Sequence, residues 1–143
     1  MENREKVFII AELSANHNQD FDLALKTIKA MAESGADAVK IQTYKPESLA
    51  VDIDNEYFGA LKSGLWRGLR RYQLYQMACT PYEWHPKLKE YAESLGMFFF
   101  SSPFDFEAAD FLSEMDIPLY KIASFESWWS NVCLSIYLVF ICF

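Results

Sequence analysis

The chain has 143 residues, enough for one ordinary domain with its own core. Hydrophobic residues make up 52% and aromatics 17%, which excludes a disordered chain. The formal net charge of -7 argues against nucleic acid or an anionic membrane surface as partner, so any anion site must gather its lysines locally.

The start, MENREKVFII, is charged and then directly strand-like, with no long apolar leader. Lys6–Glu12 (KVFIIAE) predicts a first strand that ends on a charge. Residues 14–19 (SANHNQ) are polar and turn-like. From Phe21 to Ser34, apolar residues at Phe21, Leu25, Ile28 and Ala32 mark a helical stripe, which Gly35 is placed to end in the left-handed conformation. Ala36–Thr43 (ADAVKIQT) predicts a second strand. Tyr44–Gly68 is a long mixed connection with helical turns expected around Tyr57–Lys62.

Arg70–Ala78 reads as helix. In TPYE (80–83), Thr80 can cap, Pro81 suits the first helical position and Glu83 completes a capping box for a helix running to Leu95 and stopping at Gly96. Met97–Ser101 predicts a third strand, Asp105–Met115 a helix and Pro118–Ala123 a fourth strand. Apolar strands alternating with helices indicate a parallel α/β sheet, because parallel neighbours need crossover connections. The last stretch, WWSNVCLSIYLVFICF (128–143), has no charge and no clear amphipathic period; a fifth strand fits within it. Its most apolar part, Val132–Phe143, is shorter than the ~20 residues of a membrane-spanning helix. Cys79, Cys133 and Cys142 have neither metal nor disulfide-framework spacing, and an odd number suits a reducing cytoplasm.

Each strand carries polar groups at its carboxyl end: Glu12, then Lys40 and Gln42, then Ser101 and Ser102, then Lys121 and Ser124. In a parallel sheet or barrel those ends converge on the face where ligands bind. Taken singly, each has a plain reading. Glu12 could be a solvated strand end, Lys40 could pair with Glu12 as a structural salt bridge, and serine before proline is turn chemistry. Together, two lysines, a glutamate, a glutamine and hydroxyls suit a small anionic ligand. Lys40 asks most for a partner, because apolar residues flank it on both sides. A Schiff-base aldolase is a different reading of strand lysines, but it needs a neutral amine in an apolar site. His17 lies in the first strand-to-helix loop, where a ligand contact and a plain loop role are both open. His85 reads as a surface residue of its helix. The two histidines form no metal motif, and Asp52, Asp54 and Glu56 read as a solvated charge run.

IIAELSANHN (9–18), GADAVKIQTY (35–44), TPYEW (80–84), FSSPFD (100–105) and YKIASFE (120–126), in this order and spacing, resemble the amino-terminal half of the sialic acid synthase family. ELSANH and TPYEWH are most similar to its pseudaminic acid synthases. The resemblance implies a partial (β/α)8 TIM-type barrel of about the first four β/α units, spanning residues 1–127, with 128–143 as an apolar tail that departs from the family pattern. It implies condensation of phosphoenolpyruvate with an open-chain N-acetylated amino sugar, of the pseudaminic or N-acetylneuraminic acid type, with release of phosphate. By position it implies that Glu12 contacts the sugar, with Gln42 near it. Lys40, Ser102, Lys121 and Ser124 would hold phosphoenolpyruvate. A divalent metal, Mn²⁺ or Mg²⁺, would polarise the aldehyde; the family's metal-binding histidines fall in the half of the pattern this chain does not match. The chain is therefore expected to be truncated, through a frame-shifted or prematurely ended reading frame, and weakly active or inactive. The alternative is a non-catalytic fragment that retains anion binding. Open sheet edges would also permit a homo-oligomer.

Overall fold

The computed structural model describes residues 7–123. Ser124, the boundary at 127 and the expected fifth strand within 128–143 lie outside the described residues. The elements run β1 (Ile10–Glu12), α1 (Phe21–Glu33), β2 (Ala38–Thr43), α2 (Pro46–Leu49), α3 (Arg71–Ala78), α4 (His85–Ser94), β3 (Phe98–Pro103) and α5 (Phe106–Glu114). The sheet order is β1-β2-β3 and both pairings are parallel. This is the parallel α/β sheet that the alternation predicts, and its sequential strand order is that of the opening units of the (β/α)8 barrel the resemblance implies.

Strand β1 is shorter than expected because the Asp37 carboxylate, not a backbone carbonyl, takes the Ile9 N–H at 2.9 Å. Helix α1 begins where Asp20 Oδ1 accepts the Leu23 N–H at 3.0 Å. It ends before Gly35, whose φ of +86° is a conformation glycine adopts without strain. Its stripe buries Ala24 and Ile28 against Val39, Ile41, Leu88 and Phe99. Strand β3 runs two residues past its expected end, because Ser102 and Pro103 still pair with Gln42 and Thr43. The fourth strand is reduced, among the described residues, to one parallel bridge between Tyr120 and Ser101.

Two local expectations are corrected. The helical turn expected around Tyr57–Lys62 falls slightly earlier, at Asn55–Gly59, where the Gly59 N–H donates to the Asn55 carbonyl at 2.8 Å. The connection also folds a helical turn at α2, which starts on Pro46, while Asn55 Oδ1 accepts the Tyr57 and Phe58 N–H groups and so closes its own turn with a side chain. The TPYE box does not cap α4. Thr80 is buried and turned to His17, residues Tyr82–Trp84 form a 3-10 turn, and α4 starts at His85 with Pro86 in its first turn.

The Tyr82 hydroxyl is buried with no hydrogen-bond partner among the described residues, although its ring packs on Phe111 at 4.6 Å. Burying an unmade hydrogen bond costs about 1–3 kcal/mol. Tyr82→Phe is therefore expected to leave stability unchanged or raise it by about 1 kcal/mol. Urea unfolding midpoints check this, and a clear loss of stability would reveal a partner for the hydroxyl.

Candidate functional site

Register places the polar strand ends. Glu12 pairs with Lys40, Lys40 with Phe100, and Gln42 with Ser102. Side chains level across a sheet, or two residues apart along a strand, share a face. Glu12, Lys40, Gln42 and Ser102 therefore lie on one face of the sheet. Lys121 follows the bridged Tyr120, so it falls on the Ser102 side, and its N–H donates to the Ser101 carbonyl at 3.0 Å.

The Lys40 ammonium forms an ion pair with the Glu12 carboxylate. The Lys40 side chain is 13% exposed and that of Glu12 41%, so the pair sits half in solvent at the strand ends. Lys40 thus has a partner inside the protein. An ion-paired ammonium is not a nucleophile, which argues against Schiff-base chemistry at this position.

Ser101 is separated from its neighbour Ser102 by the pleat. It faces the helices, where its Oγ lies 2.6 Å from Thr43 Oγ1 and 3.2 Å from the Ile41 carbonyl. His85, expected at the surface, is fully buried on this side. Its Nε2 lies 2.8 Å from Thr43 Oγ1 and its Nδ1 3.0 Å from the Pro81 carbonyl. Burial pushes the His85 imidazole down to about 4, against weaker opposing pulls from the Pro81 and Tyr82 backbone and from Glu83.

His17 is also fully buried. Its Nδ1 accepts the Gln19 N–H at 3.1 Å, so its Nε2 carries the hydrogen and donates to Thr80 Oγ1 at 3.3 Å. Trp84 meets the ring edge-on at 5.4 Å. Burial holds the His17 pKa below the usual imidazole value. Both ring nitrogens are hydrogen-bonded within the protein, so His17 is an anchor for the loop that carries it. The loop needs one: Ser14, Asn18 and Gln19 have φ of +50°, +48° and +56°, where L-residues are strained. Gln19 adds two ties, its Nε2 donating to the Met77 and Cys79 carbonyls at 3.1 and 2.6 Å.

The divalent metal expected from the resemblance does not fit these residues. Both histidines are buried and hydrogen-bonded, and among the described residues no three His, Cys, Asp or Glu side chains converge to hold an ion. No helix among the described residues is long and apolar enough to cross a membrane. A surface depression of about 290 Å³, lined by Glu93, Gly96, Met97, Phe98, Phe99 and Pro118, opens at the amino-terminal end of β3, opposite the polar cluster. Beside the cluster, the loop after β2 is tied to the start of α5 by the Lys45–Glu107 ion pair and the Ser48–Asp105 hydrogen bond.

Comparison with known proteins places this geometry. The NeuB family model matches residues 27–136, past the boundary expected at 127. Pseudaminic acid synthase of Campylobacter jejuni is 54% identical over 123 residues, covering 86% of this chain and 36% of that protein. Pseudaminic acid synthase of Helicobacter pylori is 48% identical over 118 residues, covering 82% of this chain and 34% of that protein. The crystal structure of an N-acetylneuraminic acid (sialic acid) synthetase from Leptospira borgpetersenii in complex with citrate superposes with a TM-score of 0.68 at 32% identity, covering 91% of this chain and 40% of that one. The chain thus spans about a third of the length of the curated relatives it matches.

Proposed function

The chain belongs to the NeuB family, and on that premise we propose that it carries the phosphoenolpyruvate-binding part of a sugar-acid synthase site of the pseudaminic acid type. The reaction would join the enol carbon of phosphoenolpyruvate to the aldehyde of an N-acetylated amino sugar; water is consumed and inorganic phosphate leaves. Lys40 and Lys121 would hold the phosphate and carboxylate by charge-assisted hydrogen bonds, which are stronger than neutral ones. Ser102, and Ser124 beyond the described residues, would donate hydroxyls to the same anion. Gln42 and Glu12 would meet the sugar. Fixing both reactants at one mouth supplies much of the rate, because a well-oriented pair reacts as if unimolecular.

The observation that supports this reading best is the shared face of Glu12, Lys40, Gln42 and Ser102, set by sheet register rather than by flexible loops. The described residues supply groups that suit an anion and no set that converges on a metal ion, so the part of the chemistry proposed for them is binding. Calorimetric titration of the 143-residue chain with phosphoenolpyruvate tests the reading, with citrate, the anion of the Leptospira complex, as competitor. Saturable binding that Lys121→Ala weakens about tenfold is expected. Absent binding, or binding indifferent to that substitution, defeats it. Phosphate release on adding the diacetamido sugar and Mn²⁺ is expected to stay near background, and robust release would show that the chain is a synthase by itself.

A further inference from the structure

The buried hydrogen bonds behind the sheet form one continuous chain. The Pro81 carbonyl can only accept, so His85 Nδ1 carries the ring hydrogen and Nε2 is left as an acceptor. Thr43 must then donate to Nε2 at 2.8 Å, and the single Ser101 hydroxyl hydrogen is shared between Thr43 Oγ1 at 2.6 Å and the Ile41 carbonyl at 3.2 Å. Thr43, His85 and Ser101 are each 0% exposed. This chain joins the carboxyl ends of β2 and β3 to the first residue of α4. Ser101 pairs with Ile41 in the ladder, so its bond to Thr43 runs diagonally across the strands. Beyond it, the Phe104 N–H to the Thr43 carbonyl, at 3.2 Å, continues the backbone ties.

Gln42 and Ser102 are the immediate neighbours of Thr43 and Ser101 and lie on the opposite face. A shift of the strand ends would carry both sets together. We propose that Thr43, His85 and Ser101 are positioning residues for the anion site: they lock β2 to β3 from behind and so fix where Lys40, Gln42 and Ser102 stand at the mouth. This rests on the anion-binding reading above. None of the three is placed at the ligand; Thr43 and Ser101 act through their strand neighbours Gln42 and Ser102, and His85 acts through its bond to Thr43.

Thr43→Val tests it, because valine keeps the shape and removes the hydroxyl, while Thr43→Ser keeps the hydroxyl. In the 143-residue chain, Thr43→Val is expected to speed amide exchange at Ser102 and Phe104 about tenfold relative to Val39 and Phe99. It is also expected to weaken phosphoenolpyruvate binding by a similar factor, and Thr43→Ser is expected to restore both. Ser101→Ala, which spares the Thr43–His85 bond, gives the same pattern more weakly and serves if the valine variant does not fold. Unchanged exchange at the strand ends, or equal acceleration at every amide, overturns the proposal, since the latter is global destabilisation. If the native chain binds no phosphoenolpyruvate, the functional reading fails, yet the exchange pattern still decides this one.

Discussion

Exchanging Lys40 for alanine is expected to weaken phosphoenolpyruvate binding at least about 30-fold, while exchanging Glu12 for glutamine tightens it. The first follows from burial. Lys40 is largely withdrawn from water, and a hydrogen bond from such a charged group contributes about 1.5–3 kcal/mol. Each 1.4 kcal/mol is tenfold in affinity, and the loss is compounded because the Glu12 carboxylate would then face the incoming anion alone. The second follows from the ion pair itself. In the ligand-free chain Glu12 already occupies Lys40, so an anion must share or displace it. Glutamine keeps the shape and removes that competing charge, for an expected gain of about three- to tenfold. Opposite signs at two touching residues are hard to obtain by general destabilisation. Calorimetry on both variants, with circular dichroism to confirm folding, checks the pair. Weaker binding by Glu12→Gln would mean that Glu12 orients Lys40 instead of competing for it.

The site became legible where chemistry and periodicity coincided. Lys40 inside an apolar strand signals a partner, and period two alone assigns Lys40 and Gln42 to one face. Parallel pairing then adds Glu12 and Ser102 without any long-range guess. The helix-facing side was harder to read. His85 looks like a surface residue when TPYE is taken as a capping box, because local cap chemistry and tertiary pairing use the same residue types. Thr80 is held by His17, a partner 63 residues away, and that choice moves the start of α4 to His85 and turns the ring inward. One signal was available. Thr43 sits on the Val39–Ile41 face, so its hydroxyl is buried and must find a partner on a covering helix. Ser101 and Ser102 likewise divide between faces, although as a pair they read as turn chemistry before Pro103. The long connection resisted because Asn55 and Pro46 build local turns that leave no periodic stripe.

Lowering the pH from 7 to about 4 is expected to cost the fold about 3 kcal/mol through His85 alone. Burial drives this imidazole from its ordinary 6.5 down to about 4 in the folded chain. The unfolded chain therefore takes up the proton below pH 6.5, while the folded chain refuses it until about 4. Between those values the unfolded state binds more protons, so stability falls as pH falls; above 6.5 this group contributes no slope, and below 4 it adds no further loss. Protonation at Nε2 would also remove the acceptor that Thr43 uses, so the hydroxyl chain behind the strand ends fails together with the fold. His17, also lowered by burial, adds a slope of the same sign. Urea unfolding at several pH values, for the native chain and for His85→Gln, isolates the effect, because acidic side chains titrate in both. The variant is expected to be less stable at pH 7 yet to lose less on acidification. Parallel pH profiles for the two proteins would show that His85 is protonated as readily in the fold as out of it, and the buried hydroxyl chain would then lack its neutral acceptor.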